Sequence, residues 1–481
     1  MNKVNSILIV GAGTAGLVTA LILKQKYKAL KIDIVKSDKI GIIGVGEGST
    51  EHWADFLGYI GKSKKEMIEE CGATFKFGIN FTDWGTPTYL NNVTQDFFAP
   101  KNAGDFVFFN KLIAEGKPLC DDWIKNSMYP GDMVNDILTN QFHFDTHKLN
   151  AWLQKLCIER DITITDDEIT DVKVDENGIK SLNNKYKADF YIDCTGFKRL
   201  LINKLGAEWE SYDKYLKMNS AIVFQTSEEA NYNMWTLAKA MKYGWRFKIP
   251  VQGRQGNGYI FDGSYITPDQ AKEEVEKELG FEIDVKKHIK FDPGALKDTW
   301  IKNCVAVGLS ANFIEPLEAS SIGSSIQTAY VISQNILAYD NNSIKFANKI
   351  ITSINNNIRD FVAIHYITPR KDTKFWQDLK EMDIPDTLAD KLDIWKSRLP
   401  CQDDMVGDSG YILFNPQNFL VMLEGLDMVD RAAIKESYSK VNNNFRKYLD
   451  EYEIERTKHI NTMSLTTHKE VIKFYAKKTK S

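Results

Sequence analysis

The pattern of apolar and polar positions changes character along this chain. An unbroken apolar run, Ile7-Leu8-Ile9-Val10, passes directly into glycines at Gly11, Gly13 and Gly16. It predicts a buried strand and a tight turn. Apolar Leu17, Ala20, Leu21 and Leu23 then recur at helical spacing, predicting a helix from Leu17 to Lys26 with one buried stripe, followed by a second strand at Ile32 to Val35. Helices are predicted near Glu51 to Tyr59, Lys64 to Cys71 and 147–159, the last with Leu149, Trp152, Leu153 and Leu156 on one face. Short alternating strands from about 162 to 194 are punctuated at Glu176-Asn177-Gly178 and Asn183-Asn184. A second β-rich block spans about 217–265, with Ser220 to Phe224 and Gly258 to Phe261 as strands. From about residue 322 the pattern is helical to the C-terminus, where Ala476 to Ser481 reads as a solvated tail. There is no internal repeat or low-complexity segment.

Composition narrows the class. With 481 residues, 43% hydrophobic and 26% charged, the chain has material for a large core and more than one domain. A net charge of −4 gives no reason to expect nucleic acid or an anionic membrane as partner. The first strand runs into glycines, so it does not read as a signal peptide, and no apolar stretch approaches the ~20 residues that span a bilayer. A cytoplasmic location is expected. Cys71, Cys120, Cys157, Cys194, Cys304 and Cys401 are scattered without metal-type spacing, and read as small buried hydrophobes in a reducing compartment, with no metal site expected.

Three strings carry chemistry. Gly11-Ala12-Gly13-Thr14-Ala15-Gly16 lies between a strand and a helix, the setting in which glycines let a backbone turn tightly and approach a pyrophosphate. The acidic residue expected to end the second strand is missing. Lys36-Ser37-Asp38 stands there, leaving the ribose hydroxyl to Asp38 or to a water, or leaving the affinity weaker. Second, Thr74-Phe75-Lys76-Phe77-Gly78-Ile79 places one lysine among aromatic residues; as a strand it points Lys76 opposite to Phe75 and Phe77. By itself this is compatible with a lysine on the polar face of a half-buried strand. Third, Glu315-Pro316-Leu317-Glu318 follows a nearly uncharged run from Trp300 to Ser310. Read as a strand entering the interior, that run predicts a buried, hydrogen-bonded carboxylate at its end, against the plainer alternative of an exposed helical edge carrying Glu315 and Glu318.

Together these strings resemble the flavin-dependent halogenases typified by tryptophan halogenase. Asp189 to Gly196 resembles the second nucleotide-contacting strand of two-domain flavoproteins, and Gly44-Val45-Gly46-Glu47-Gly48-Ser49 resembles the loop that lies along the flavin. The family's Trp-x-Trp-x-Ile-Pro marker appears as Trp245-Arg246-Phe247-Lys248-Ile249-Pro250, with Phe247 in place of the second tryptophan. His143-Phe144-Asp145, Arg359-Asp360-Phe361, His365-Tyr366 and Phe375-Trp376 extend the match over about residues 6–380; the last hundred residues match weakly.

The resemblance implies an α/β, two-domain FAD-binding fold of the glutathione-reductase and aromatic-hydroxylase type, with a helical C-terminal substrate region. Residues 1–85, 140–200 and 290–335 would form an interleaved FAD-binding domain, and 86–139, 201–289 and 336–481 the substrate-binding part. It assigns cofactor contacts to Gly11, Gly13, Thr14, Ala15, Gly16, Lys36, Glu47, Gly48, Leu309 and Ile322, halide contacts to Ser320 and Ser321, and catalysis to Lys76 and Glu318. Reduced FAD from a separate flavin reductase, with O2 and halide, would yield hypohalous acid. Lys76 and Glu318 would direct it to an electron-rich aromatic substrate of indole or phenol type. Ala319 replaces the family's usual serine, which points to bromide or iodide over chloride. Two rivals stand beside this reading: a single-component FAD aromatic monooxygenase, and a flavin-binding sensor or scaffold. Substrate identity and oligomeric state, a homo-oligomer included, stay open.

Overall fold

The computed structural model describes residues 2–41, 44, 46–92, 107–405 and 410–477. Val45 of the flavin-type loop and residues 478–481 of the tail lie outside them. At the centre is a six-stranded sheet in the order Thr163–Asp166, Lys31–Lys36, Ser6–Val10, Phe190–Asp193, Cys304–Ala306, Trp300–Ile301. Neighbours are parallel from Thr163–Asp166 to Cys304–Ala306, and Trp300–Ile301 folds back antiparallel at the edge. One sheet therefore collects strands from four separated parts of the chain. The run Trp300 to Ser310 is not one strand, as its apolar character suggests. Lys302, at φ 52°, turns it into a two-strand hairpin, and a 3-10 turn, Gly308–Ser310, follows.

The helix Thr14–Lys26 corrects the expectation of a single stripe: every residue from Gly16 to Leu23 is buried. It packs against helices Thr146–Ile158 and Ser320–Asn335 as well as the sheet, so all its faces need apolar or small residues. Helices His52–Tyr59, Lys64–Glu70 and Thr146–Ile158 fall where the periodicity places them. The last is started by Asp145, whose side chain accepts from the N–H groups of His147 and Lys148.

A second, seven-stranded sheet runs Val285–Lys290, Ser220–Ser227, Arg254–Phe261, Gly244–Val251, Thr236–Ala240, Ile79–Thr82, Tyr89–Asn91. Only the Thr236–Ala240 to Ile79–Thr82 pair is parallel within it. A small three-stranded sheet, Glu47–Gly48, Gln141–Phe144, Thr74–Lys76, ties the flavin-type loop to the lysine strand. The C-terminal part is mostly helical, led by Ser320–Asn335 and Asn341–Ile364. Two short strands interrupt it, against expectation: Ala338–Tyr339 pairs with Asn2–Lys3, and Leu465–Thr467 with Met128–Pro130. The six cysteines are unpaired, and Cys194 and Cys401 are only partly buried. Among the described residues no helix is long and apolar enough to cross a membrane.

Candidate active site

At the nucleotide end, Gly11 has φ 108°, and a methyl there would lie 2.2 Å from the carbonyl oxygen of Cys194. A methyl on Gly16 would lie 2.1 Å from the carbonyl oxygen of Gly11. Gly13 differs: a methyl built on it meets nothing within 4 Å. That open face sits at the start of helix Thr14–Lys26, which has no side-chain cap and no acidic residue in its first turn. Its N–H groups therefore face outward without a competing anion, which fits a pyrophosphate. Thr14 and Ala15 begin the helix, and Gly308, at φ 69°, approaches so closely that a methyl on it would sit 2.5 Å from Cβ of Ala15; Leu309 follows in the same turn. Lys36 forms an ion pair with Asp38 at the end of the second strand. Asp193, fully buried, accepts from the N–H groups of Thr195, Leu201 and Ile202 and from the hydroxyls of Thr195 and Ser310. It fastens the end of strand Phe190–Asp193 to the Gly308 turn. The sequence marks Asp193 only as a strand end.

The reactive end assembles around Gly48. Lys76 is 2% exposed, and its ammonium donates to the carbonyl of Ser49 at 2.7 Å. The plain expectation of a half-buried surface lysine does not hold. Phe75 and Phe77 point the other way, Phe75 toward Phe142 and Tyr129, Phe77 toward Trp123 and Tyr129. Burial pushes Lys76 down to about 8, opposed by the charges of Glu318 and Glu51. A methyl on Gly48 would be 3.4 Å from Cβ of Ala319 and 3.6 Å from Nζ of Lys76. The lysine and the residue after Glu318 thus meet across one glycine. Neighbouring Glu47 is pushed up to about 7 by burial.

Glu318 is 5% exposed, on a turn and not on a helical edge. Nδ2 of Asn91 donates to both carboxylate oxygens at 3.2 Å, and Nε2 of His365 lies 2.9 Å from Oε1. The other ring nitrogen of His365 is 2.7 Å from the carbonyl of Phe361, which only accepts. Both ring nitrogens therefore face acceptors. His365 is delivered by the C-terminal end of helix Asn341–Ile364.

Glu315 is also fully buried, and burial pushes it up to about 7. It accepts from the indole N–H of Trp245 at 2.8 Å and from the hydroxyl of Tyr366, tying the proline-ended marker strand to the His365-Tyr366 pair. Phe247 packs its ring on Gly258 and neighbours Trp245, with centroids 6.1 Å apart. The turn between the two glutamates holds both Glu315 and Ala319 in left-handed conformations, φ 70° and 54°. Ala319 leads into helix Ser320–Asn335 without any side-chain cap. The first-turn N–H groups of Ser320, Ser321 and Ile322 consequently have neither an intrahelical carbonyl nor a capping oxygen, at a buried helix terminus beside Lys76. Asn91, Ser49, His365 and Glu315 complete the site. The sequence carries no signal for Asn91, whereas Ser49, His365 and Glu315 stand inside motif strings and lack only an assigned role.

With that geometry in place, comparison with known proteins is direct. Residues 6–440 match the sequence profile of the tryptophan halogenase family, and the chain belongs to that family of flavin-dependent halogenases, enzymes of the oxidoreductase kind. Among its relatives, tryptophan 6-halogenase ThaL of Streptomyces albogriseolus is 30% identical over 452 residues, covering 85% of each chain. Tryptophan 7-halogenase RebH of Lentzea aerocolonigenes is 29% identical over 486 residues, covering 89% of this chain and 91% of its own. The solved tryptophan halogenase of Shewanella frigidimarina superposes with a TM-score of 0.88 over 99% of this chain and 98% of that one, at 24% identity, and shows the same two-domain FAD-binding fold.

Proposed function

We propose that this protein halogenates an electron-rich aromatic ring, with Lys76 holding the oxidant and Glu318 serving the reacting carbon. The meeting of Lys76, Gly48 and Ala319 at an uncapped, buried helix N-terminus carries the reading. ThaL and RebH are tryptophan halogenases, so an indole is the substrate class to test first, with phenols beside it. On this reading residues 1–85, 140–200 and 290–335 hold FAD, and 86–139, 201–289 and 336–481 enclose the substrate.

Gly11, Gly13, Thr14, Ala15, Gly16, Lys36, Glu47, Gly48, Leu309 and Ile322 would hold FAD, with the uncapped start of helix Thr14–Lys26 suited to its phosphates. Reduced by a separate flavin reductase and supplied with O2, it provides the oxidising power that turns halide into hypohalous acid. The remaining roles belong to the protein. The N–H groups at Ser320 and Ser321 hold the halide, helped by the helix terminus and the Lys76 charge. Lys76, as a compact ammonium, donates a hydrogen bond to the oxygen of hypohalous acid and gives the proton with which that oxygen leaves as water. The halogen bonds to ring carbon while Glu318 takes the proton that carbon loses. Returning that proton to Lys76 restores both groups. Asn91 and His365 keep the carboxylate in place.

Ala319 makes the halide end less polar than a serine would, which favours bromide or iodide over chloride. Installing Ala319→Ser and repeating the halide competition should move preference toward chloride; an unmoved ratio refutes that role. The decisive assay offers chloride, bromide and iodide with FAD, NADH and a flavin reductase to a panel of indoles and phenols. Halogenated product that disappears in Lys76→Ala supports the reading. Hydroxylated product instead would assign the fold to an aromatic monooxygenase.

A further inference from the structure

The strand bearing Lys76 has an open edge. Thr74–Lys76 pairs with Gln141–Phe144 on one side only, leaving the N–H of Phe75 directed away from the sheet. Its acceptor comes from 393 residues further along: Nε2 of His468, at 3.0 Å. The profile match to the family ends at residue 440, before this histidine.

The surroundings of His468 define its state. Nδ1 lies 3.2 Å from the carbonyl of Tyr232, which can only accept, so Nδ1 carries the hydrogen and Nε2 presents its lone pair to Phe75. Burial pushes the ring down to about 3, so it stays neutral at working pH. The ring also stacks on that of Phe75, with centroids 5.4 Å apart and planes 19° from parallel. A clasp holds it there. Leu465–Thr467 pairs with Met128–Pro130, the N–H of Lys469 donates to Asn231 at 3.0 Å, and its ammonium reaches Glu228 at 2.8 Å. Beyond the lysine, the N–H of Phe77 donates to the carbonyl of Met234 at 2.6 Å, and the N–H of Met234 to the hydroxyl of Ser127 at 2.9 Å. The same two segments, around 127 and 231–234, therefore secure the peptide on both sides of Lys76.

We propose that the C-terminal segment is a clasp in which His468 is a positioning residue for Lys76, fixing the strand so that its ammonium reaches the oxidant. The inference rests on the role given to Lys76 above. A displacement of about 1 Å costs orders of magnitude when a group must meet a reacting atom, so a loosened strand should waste oxidant before it loses cofactor.

The test compares His468→Ala, His468→Gln and Lys76→Ala in the full chain, with bromide and the indole or phenol on which the wild type is most active. Three quantities are measured: halogenated product, hypohalous acid caught by a chemical trap, and affinity for reduced FAD. With His468→Ala, product per reduced FAD consumed should fall on the order of tenfold, while trapped oxidant and FAD affinity hold within about twofold. Glutamine offers an oxygen to Phe75 and an N–H to Tyr232, so His468→Gln should recover most of the yield; it also serves as the test should the alanine variant fail to fold. The proposal is overturned if the alanine variant keeps its yield, if oxidant and FAD affinity fall in step with product, or if folded His468→Gln shows no recovery. Product retained in Lys76→Ala would instead remove the role of Lys76 itself.

Discussion

Gly11 and Lys76 work in one molecule under opposite demands. Gly11 functions by what it lacks: its backbone occupies φ 108° and leaves no room for a methyl beside Cys194. The nucleotide end is thus shaped by glycines, and its pieces are close in sequence or aligned along one parallel sheet. In the role proposed for it, Lys76 acts by what it carries, a charge taken almost wholly out of water. Such a group is tolerable only with partners, and these come from remote stretches: Ser49, Glu318 and, through the strand, His468. On the proposed reading, one end is set by backbone fit, while the other accepts a cost in stability to place its charged groups.

The sharpest break between the two ends is a pair of substitutions. Lys76→Ala should lower halogenated product on the order of 10²–10³-fold, the usual scale for losing one preorganised donor, with affinity for reduced FAD unchanged. Gly11→Ala should act in the other column. It should destabilise the fold by roughly 2 kcal/mol or more, from strain and the clash at Cys194, and weaken FAD binding in titration, with residual product tracking bound FAD. If Lys76→Ala lost FAD and product together, the two ends would not be separable functions. A smaller effect lies at Asn91. Asn91→Leu removes the donor to both oxygens of Glu318 but leaves His365, so kcat should fall about tenfold, the worth of one hydrogen bond to a charged group, with FAD affinity intact. An unchanged kcat would mean that His365 alone fixes the carboxylate.

The same contrast explains what the sequence could convey. The glycine fingerprint is a local rule, so its strand, turn and helix are legible from one short window. The helix after it is misread as having one stripe, because the pattern Leu17 to Leu23 cannot reveal that a second helix, Ser320–Asn335, covers the remaining face. The apolar run 300–310 reads as one strand because Lys302, which turns it, is not a turn-favouring residue type. Strands of two or three residues, such as Leu465–Thr467, have no periodicity to detect and exist through pairing with a distant partner. At the reactive end Lys76 and Glu318 are visible because motif strings surround them. Asn91 and His468 are ordinary residues in their own windows, and their roles follow only from tertiary hydrogen bonds. What is made by backbone geometry can be read locally; what is made by neutralising a buried charge cannot.

A last substitution puts the stability cost proposed for the lysine end to the test. Lys76 falls from an ordinary value of 10.5 to about 8 because burial disfavours its charge. Between those two values the unfolded chain still holds the proton that the folded chain has released, so wild-type stability gains with rising pH through that window. Below it the full penalty persists, roughly 3 kcal/mol from the size of the shift. Lys76→Met keeps the apolar stem and removes the charge. At pH 7 this variant should be the more stable of the two by roughly that amount in urea unfolding, and its advantage should shrink steadily toward pH 10. Groups that do not feel the Lys76 charge titrate alike in both proteins and cancel in the difference. A pH-independent gap would show that the ammonium is not destabilising where it stands, and that the carbonyl of Ser49 and the carboxylate of Glu318 compensate its burial in full.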